Sequence, residues 1–251
     1  MHNPEPIANN LRVLSTAVRN SAADVGLALD GDADRLGVID NNGNYITSLQ
    51  IFALLAYYLL EVRNIRGPII KSITLGNMAL KLAHIYNVPI FETGVGFKHI
   101  APMMIGQDAI LGGEESGGYA FRDHLPERDG ILSGILLLDL IARTGKSLSA
   151  LLEELYGLIG PHHYDRVDLK FDRQHRQTLI SRLHDCPPKI LAETRVTKID
   201  HVDGIRFHLE DGAWVMLRFS GTEPLLRVYA EAENLERVGR ILRGAQDFVG
   251  I

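Results

Sequence analysis

Ser48-Leu-Gln-Ile-Phe-Ala-Leu-Leu-Ala-Tyr-Tyr-Leu-Leu-Glu-Val-Arg63, followed by Gly67-Pro-Ile-Ile-Lys71, decides the fold. Ser48 is a good N-cap residue, and Leu49 to Arg63 reads as a strongly apolar helix. Gly67-Pro68 breaks it, and Ile69-Ile70 starts a strand leading into Lys71. The pattern then repeats. A helix is expected near Asn77–Tyr86, a strand at Val88–Phe91 and a Gly-rich turn at Thr93–Gly96. Another strand, Ala109–Leu111, meets Gly112-Gly-Glu-Glu-Ser-Gly-Gly118, and two helices follow near Asp129–Arg143 and Ser147–Tyr156. Strands alternating with helices predict an α/β fold, a parallel sheet in a three-layer α/β/α arrangement.

Upstream, Leu11, Leu14, Ala17 and Val18 give residues 11–22 one apolar helical face. Asp24–Leu29 reads as a short buried strand that stops in an acidic turn, Asp30 to Arg35, and resumes as Leu36–Ile39. Asn41-Asn-Gly43 ends that unit. Residues 1–45 hold too little to bury a core alone. They either dock on a neighbouring unit or close a domain that begins elsewhere. Downstream, Gly160-Pro161 reads as a linker. β-type stretches follow at Tyr164–Phe171, Arg195–Asp200, Ile205–Leu209, Trp214–Arg218 and Leu226–Ala232, with helices near Gln174–His184 and Leu235–Val249. These predict a separate α+β domain. The expected organisation is therefore 1–45, 46–160 and 161–251, with no internal repeat.

Composition narrows the function. The chain has 251 residues, 46% of them hydrophobic and 23% charged, which excludes a disordered protein. Residues 1–160 have 12 basic and 17 acidic side chains, and 161–251 have 14 of each. No basic face for nucleic acid or an anionic membrane is expected. A lone cysteine, Cys186, cannot form an internal disulfide. The longest apolar run, Ile51–Leu60, is half a membrane span. Met-His-Asn-Pro-Glu-Pro lacks the features of a signal peptide. A soluble, cytoplasmic protein is expected.

Three loops hold the chemistry. In Asp30-Gly-Asp-Ala-Asp-Arg35, carboxylates at i, i+2 and i+4 converge only if the backbone turns tightly. They repel one another unless a hard cation sits among them. An acidic surface turn is the bland alternative. An EF-hand would need Gly and Glu where Arg35 and Asn41 stand, so a metal–phosphate site is favoured. In Gly113-Glu-Glu-Ser-Gly-Gly118, Glu114 and Ser116 offer an acceptor and a donor/acceptor between small residues, as sugar hydroxyls require. Such a loop alone is often only a turn. In Arg218-Phe-Ser-Gly-Thr-Glu-Pro224, with Arg227 beyond, Arg, Ser and backbone N–H groups form a plausible phosphate cradle. It lacks the P-loop pattern, so a nucleotide triphosphatase is not indicated.

In this order the loops resemble the α-D-phosphohexomutase superfamily, the phosphoglucomutase/phosphomannomutase enzymes. Asp30 to Arg35 matches the family's D-G-D-x-D-R, Gly113 to Gly117 its G-E-x-S-G, and Arg218 to Thr222 its R-x-S-G-T. The likeness extends through Asn3-Pro-Glu-Pro6, Thr93-Gly-Val-Gly-Phe-Lys98 and Arg128-Asp-Gly-Ile131. No T-A-S-H-N-P type loop, which holds the family's phosphorylated serine, occurs in the sequence. The chain resembles the end of domain two with domains three and four.

The resemblance implies that Asp30, Asp32 and Asp34 ligate Mg²⁺, with Arg35 beside the reacting phosphate. Lys71 matches a place often basic in the family, against the alternative of a solvent-facing lysine. Glu114 and Ser116 would grip sugar hydroxyls. Arg218, Ser220, Gly221, Thr222 and Arg227 would hold the non-reacting phosphate, Arg227 being equally readable as a solvated strand residue. Lys98, His99 and His124 could reach substrate or do nothing. His162-His163 reads as linker, and Cys186 as a structural or surface residue. The implied partner is a hexose phosphate, with a hexose bisphosphate activator in the intact enzyme. Association with an N-terminal half, or self-association, is also expected. Without the serine, the chain alone is expected to be inactive. The rival readings are a non-catalytic sugar-phosphate-binding or scaffold protein, and a metal-dependent phosphatase.

Overall fold

The computed structural model describes residues 5–221 and 223–250, with the backbone alone for Arg173. They form two compact units, Met1–Gly160 and Pro161–Ile251.

The first unit opens with α1 (Arg12–Ser21), whose Val18 packs with Leu11, Leu14 and Ile39. The two halves of the expected interrupted strand, β1 (Gly26–Leu29) and β2 (Leu36–Ile39), are antiparallel partners, with Leu29 opposite Leu36. The acidic turn is thus the tip of a hairpin. A third strand, β3 (Tyr45–Ile46), continues the sheet in the order β1-β2-β3. Helix α2 (Ser48–Tyr57) runs on into one π-helical turn, Tyr58–Val62. Its N-cap is Thr47 rather than Ser48. Thr47 and Gln50 form a reciprocal capping box, which satisfies two backbone donors and frees the Ser48 hydroxyl. Every residue from Ile51 to Leu60 is buried.

Next come β4 (Ile69–Ser72), α3 (Met78–Ile85), β5 (Ile90–Thr93), α4 (Phe97–Gln107), β6 (Leu111–Gly113), β7 (Tyr119–Phe121), α5 (Gly130–Thr144) and α6 (Leu148–Ile159). The sheet order is β5-β4-β6-β7. The first three strands are parallel as expected, and β7 adds an antiparallel edge. Adjacent residues of β6 point to opposite faces. A side chain at Gly112 would meet Met104 of α4, and one at Gly113 would meet Phe52 of α2. Helices therefore cover both faces, the three-layer arrangement. Sequence reading placed neither α4 nor β7. Pro102 lies inside α4, and β7 is only three residues long.

The second unit has β8 (His163–Lys170), α7 (Arg176–Asp185), β9 (Ile190–Leu191), β10 (Thr194–Asp200), β11 (Ile205–Leu209), β12 (Trp214–Phe219), β13 (Leu225–Ala232) and α8 (Leu235–Val249). Its sheet is antiparallel throughout, in the order β8-β13-β12-β11-β10-β9. Val238, Ile241, Leu242, Ala245 and Val249 form one stripe of α8 and pack with Val215, Leu217, Val228 and Ala230. Burying the Val, Ile and Leu side chains of this stripe is worth roughly 1.5–3 kcal/mol each, which fixes the helix on the sheet. Asn234 caps it by accepting from the Arg237 amide at 2.8 Å.

Candidate functional site

The hairpin tip brings the three aspartates together. One carboxylate oxygen from each of Asp30, Asp32 and Asp34 lies within 4.8 Å of the others. Ala33 takes a left-handed conformation (φ 62°), and its amide donates to the Asp30 carbonyl at 3.3 Å, closing the turn. Asp30 is buried and doubly held. Arg35 donates to it from Nε at 2.5 Å and from its backbone amide at 3.1 Å. Burial pushes the Asp30 carboxyl up, but the Arg35 bonds and charge outweigh it and hold the group below its ordinary value. Asp34 goes the other way. Burial and the charges of Asp30 and Asp32 raise it, although Arg128 pulls it down.

The Gly113–Gly118 loop sits against this tip. Leu36 donates its amide to the Gly117 carbonyl at 3.0 Å. Within the loop Gly117 (φ 94°) lets the chain turn back, so that its amide bonds the Glu114 carbonyl and Glu114 bonds Gly118, both at 3.1 Å. Glu114 is buried, and Ser116 Oγ donates to its Oε1 at 2.7 Å. The two predicted sugar-binding side chains are therefore neighbours. Helix α2 fastens the loop from behind. Ser48 Oγ donates to the Glu115 carbonyl at 2.6 Å, and Tyr119 Oη donates to the Ser48 carbonyl at 2.8 Å. Tyr119 is fully enclosed, and burial keeps its phenol far above the usual range.

Arg128 joins the two loops. Its Nη2 lies 2.7 Å from Asp34 Oδ2 and its Nη1 3.3 Å from Glu114 Oε1. Sequence reading gave this arginine no role, because its partners are distant along the chain. Asp129 caps α5 by accepting from the Leu132 amide at 2.8 Å. Gly130, the first residue of α5, donates to the Ala33 carbonyl at 3.0 Å. A side chain there would come within 2.9 Å of both the Ala33 and Arg35 carbonyls. Arg128-Asp-Gly130 is thus the seat of the acidic turn. His124 is occupied with Asp129, at 2.9 Å.

Lys71 is not the solvent-facing lysine of the alternative reading. It is fully buried, with Nζ 2.6 Å from Glu92 Oε1. In the parallel register it lies beside both Glu92 and Gly113, at the C-terminal ends of β4, β5 and β6. Open α/β sheets bind ligands at that edge. Lys98 and His99 are exposed on α4.

In the second unit, Arg218 and Arg227 are directly opposed in the β12–β13 ladder. Like charges so placed are unfavourable unless countered. Arg218 Nε bonds Asp203 Oδ2 at 3.0 Å, and Arg227 approaches Glu223 at 3.3 Å and Asp168 at 3.6 Å. Arg227 is half-buried, not freely solvated. Ser220 is buried and accepts from the Glu223 amide at 3.2 Å. Gly221 has open space where a side chain would be. Thr222 lies outside the described residues, as do His2, Asn3 and Pro4. His162 is no plain linker residue. Its imidazole is buried against Glu231, at 2.5 Å, on the carboxylate that also receives Trp214 Nε1. Cys186 is exposed and free. Among the described residues no helix is long and apolar enough to cross a membrane.

The phosphoglucomutase/phosphomannomutase family models match along the chain: α/β/α domain II over residues 1–43, α/β/α domain III over 47–158 and the C-terminal domain over 184–244. The chain belongs to the phosphoglucomutase/phosphomannomutase family. It is 33% identical over 240 residues to a phosphoglucomutase/phosphomannomutase of Thermococcus kodakarensis, covering 96% of this chain and 50% of that protein. A phosphoglucosamine mutase of Nitratidesulfovibrio vulgaris is 33% identical over 230 residues, covering 91% of this chain and 47% of its own length. A crystal structure from Thermus thermophilus, assigned as a phosphomannomutase, superposes with a TM-score of 0.84 at 34% identity, covering 99% of this chain and 51% of that one. The chain spans about half the length of the relatives it matches.

Proposed function

We propose that this chain forms the metal-, sugar- and distal-phosphate-binding part of a mutase that interconverts hexose 1-phosphate and hexose 6-phosphate, and that a serine outside it donates the phosphoryl group. The reading rests on one observation: the acidic turn and the sugar loop lie against each other, joined through Leu36–Gly117 and Arg128. The donor set fits Mg²⁺, being three carboxylates close enough to share a small hard cation. Asp30, Asp32 and Asp34 would hold it, and when bound it would supply positive charge for the transferring phosphoryl. Arg35 is already fixed on Asp30 and would lie beside that phosphate. Lys71 would add charge at the same sheet edge. Glu114 and Ser116 would exchange their mutual bond for bonds to sugar hydroxyls. Arg218, Ser220, Gly221, Thr222 and Arg227 would hold the non-reacting phosphate, relieving the opposition of the two arginines.

The substrate class is a hexose phosphate, with a hexose bisphosphate as activator. Domain boundaries near residues 45 and 160 and a cytoplasmic setting belong to the same reading. Association with an N-terminal half, or with a second copy, is supported by one face. Ile131, Ile135 and Leu138 recur along α5 and are exposed, as is Leu29 of the edge strand β1.

The test is a coupled mutase assay with glucose 1-phosphate and glucose 1,6-bisphosphate, in a preparation free of host mutase. The chain alone should show no turnover, because loss of a covalent nucleophile removes the route itself. Adding a separately produced N-terminal half of the Thermococcus relative should restore it. Steady conversion by the chain alone would overturn the division of roles.

A further inference from the structure

Arg128 is held on several sides. Its guanidinium carbon lies 5.8 Å from the centre of the Phe97 ring. Its stem passes over Gly118, where a side chain would come within 2.3 Å of Cδ and 2.7 Å of Cγ. At the tip the fork divides. Nη2 takes Asp34, Nη1 takes Glu114, and Nε lies 3.3 Å from Glu127. A planar guanidinium holds two carboxylates on separate nitrogens in a fixed fork, a geometry that the single nitrogen of an ammonium does not reproduce.

The charges around the turn follow from this. Asp30 has its own counter-charge in Arg35, at 2.5 Å, whereas Arg35 Nε is 3.7 Å from Asp34. Asp34 relies on Arg128. Asp32 is exposed. A cation arriving among the three aspartates meets one oxygen of Asp34 already bonded.

We infer that Arg128 is a positioning residue that couples the two loops: it holds Asp34 and Glu114 on one guanidinium, so that a cation entering the acidic turn competes with it for Asp34, and the exchange is felt at Glu114. The inference rests on the metal reading above. A unit charge about 5 Å from a divalent ion changes its affinity roughly tenfold even at the dielectric constant of water.

The experiment is a Mg²⁺ titration of the isotope-labelled full chain, followed by amide shifts, in the wild type, Arg128→Met and Arg128→Lys. In the wild type the amides of Gly31, Asp32 and Ala33 should respond, and those of Glu114 and Ser116 with them. Methionine keeps an apolar stem over Phe97 but no charge. Arg128→Met should bind Mg²⁺ about tenfold more tightly, with the Glu114 and Ser116 response reduced by more than half. Lysine keeps the charge without the fork, so its affinity should stay within about threefold of wild type while the Glu114 and Ser116 response still falls. The Leu36 amide, tied to Gly117 by backbone, should respond in all three and serves as the internal control. A merely structural arginine would weaken Mg²⁺ binding when removed. Equal or weaker binding by Arg128→Met, or an unchanged response at Glu114 and Ser116, overturns the coupling and leaves the metal reading standing. No shift at residues 31–33 in any chain overturns both.

Discussion

Gly130→Ala tests whether α5 seats the acidic turn. The added methyl would lie 2.9 Å from two carbonyl oxygens, those of Ala33 and Arg35, and 2.8 Å from Leu29 Cδ2. The leucine can rotate, but backbone carbonyls cannot, so the turn or the helix end must move. Overpacking of this kind costs roughly 1–3 kcal/mol. Alanine returns up to about 1 kcal/mol through lower chain entropy. A net loss of about 1–2 kcal/mol is expected, or about 3–6 °C in the melting temperature of a unit this size. Gly134→Ala in the same helix is the control. Its methyl would meet only side chains, Leu27 Cδ1 at 3.2 Å and Leu36 Cδ1 at 3.7 Å, so it should be neutral or slightly stabilising. The assay is thermal and urea unfolding of both variants, followed by Mg²⁺ titration, where Gly130→Ala should also bind less well. If Gly130→Ala melts with Gly134→Ala and binds Mg²⁺ like the wild type, the close approach does not position the turn.

Two further outcomes are expected. Arg218→Ala in the full chain should weaken hexose 6-phosphate or inorganic phosphate binding about 10- to 100-fold, with Ser220→Ala costing less, read from amide shifts at residues 218–227. Asp129→Ala should cost about 1 kcal/mol near neutral pH through loss of the α5 cap. Burial raises the Asp129 carboxyl, but the Leu132 amide and His124 hold it below its ordinary value of 3.8. Its contribution is therefore full above 3.8 and is lost as the pH falls through the folded value. The urea midpoints of wild type and variant should converge in acid, and a gap that persists there would refute the cap's electrostatic share.

Much of this was legible in the sequence because it is local. The stripe of α8, the turn chemistry at Asn41-Asn-Gly43 and the alternation of strands and helices each depend on residues a few positions apart. The convergence of the three aspartates was legible too, since a tight turn after a strand leaves them little choice. The pairing of β1 with β2 was not, because an interrupted strand and a hairpin share one apolar pattern. Lys71 was ambiguous for a different reason. Its burial depends on Glu92, two elements away, and no spacing announces a cross-strand ion pair. Arg128 is the extreme case. One of its partners is 94 positions upstream, and only the folded chain brings the two loops to one guanidinium.

Helix α2, buried at every position except Ser48 and Gln50, bears on how the first unit is made. Gln50 Nε2 donates to Tyr156 Oη at 2.6 Å, and Tyr57 Oη donates to Glu154 Oε1 at 2.9 Å, so its cover includes α6, about a hundred residues later in the chain. During synthesis this ten-residue apolar segment is covered only in part, by the next helix α3, until α5 and α6 emerge. At about 5–20 residues per second the wait lasts many seconds, long enough for strangers to find the segment first. Part of the segment therefore stays open to foreign contacts during synthesis, and refolding from denaturant should be slowed by those closing contacts, to α6, that are distant in sequence.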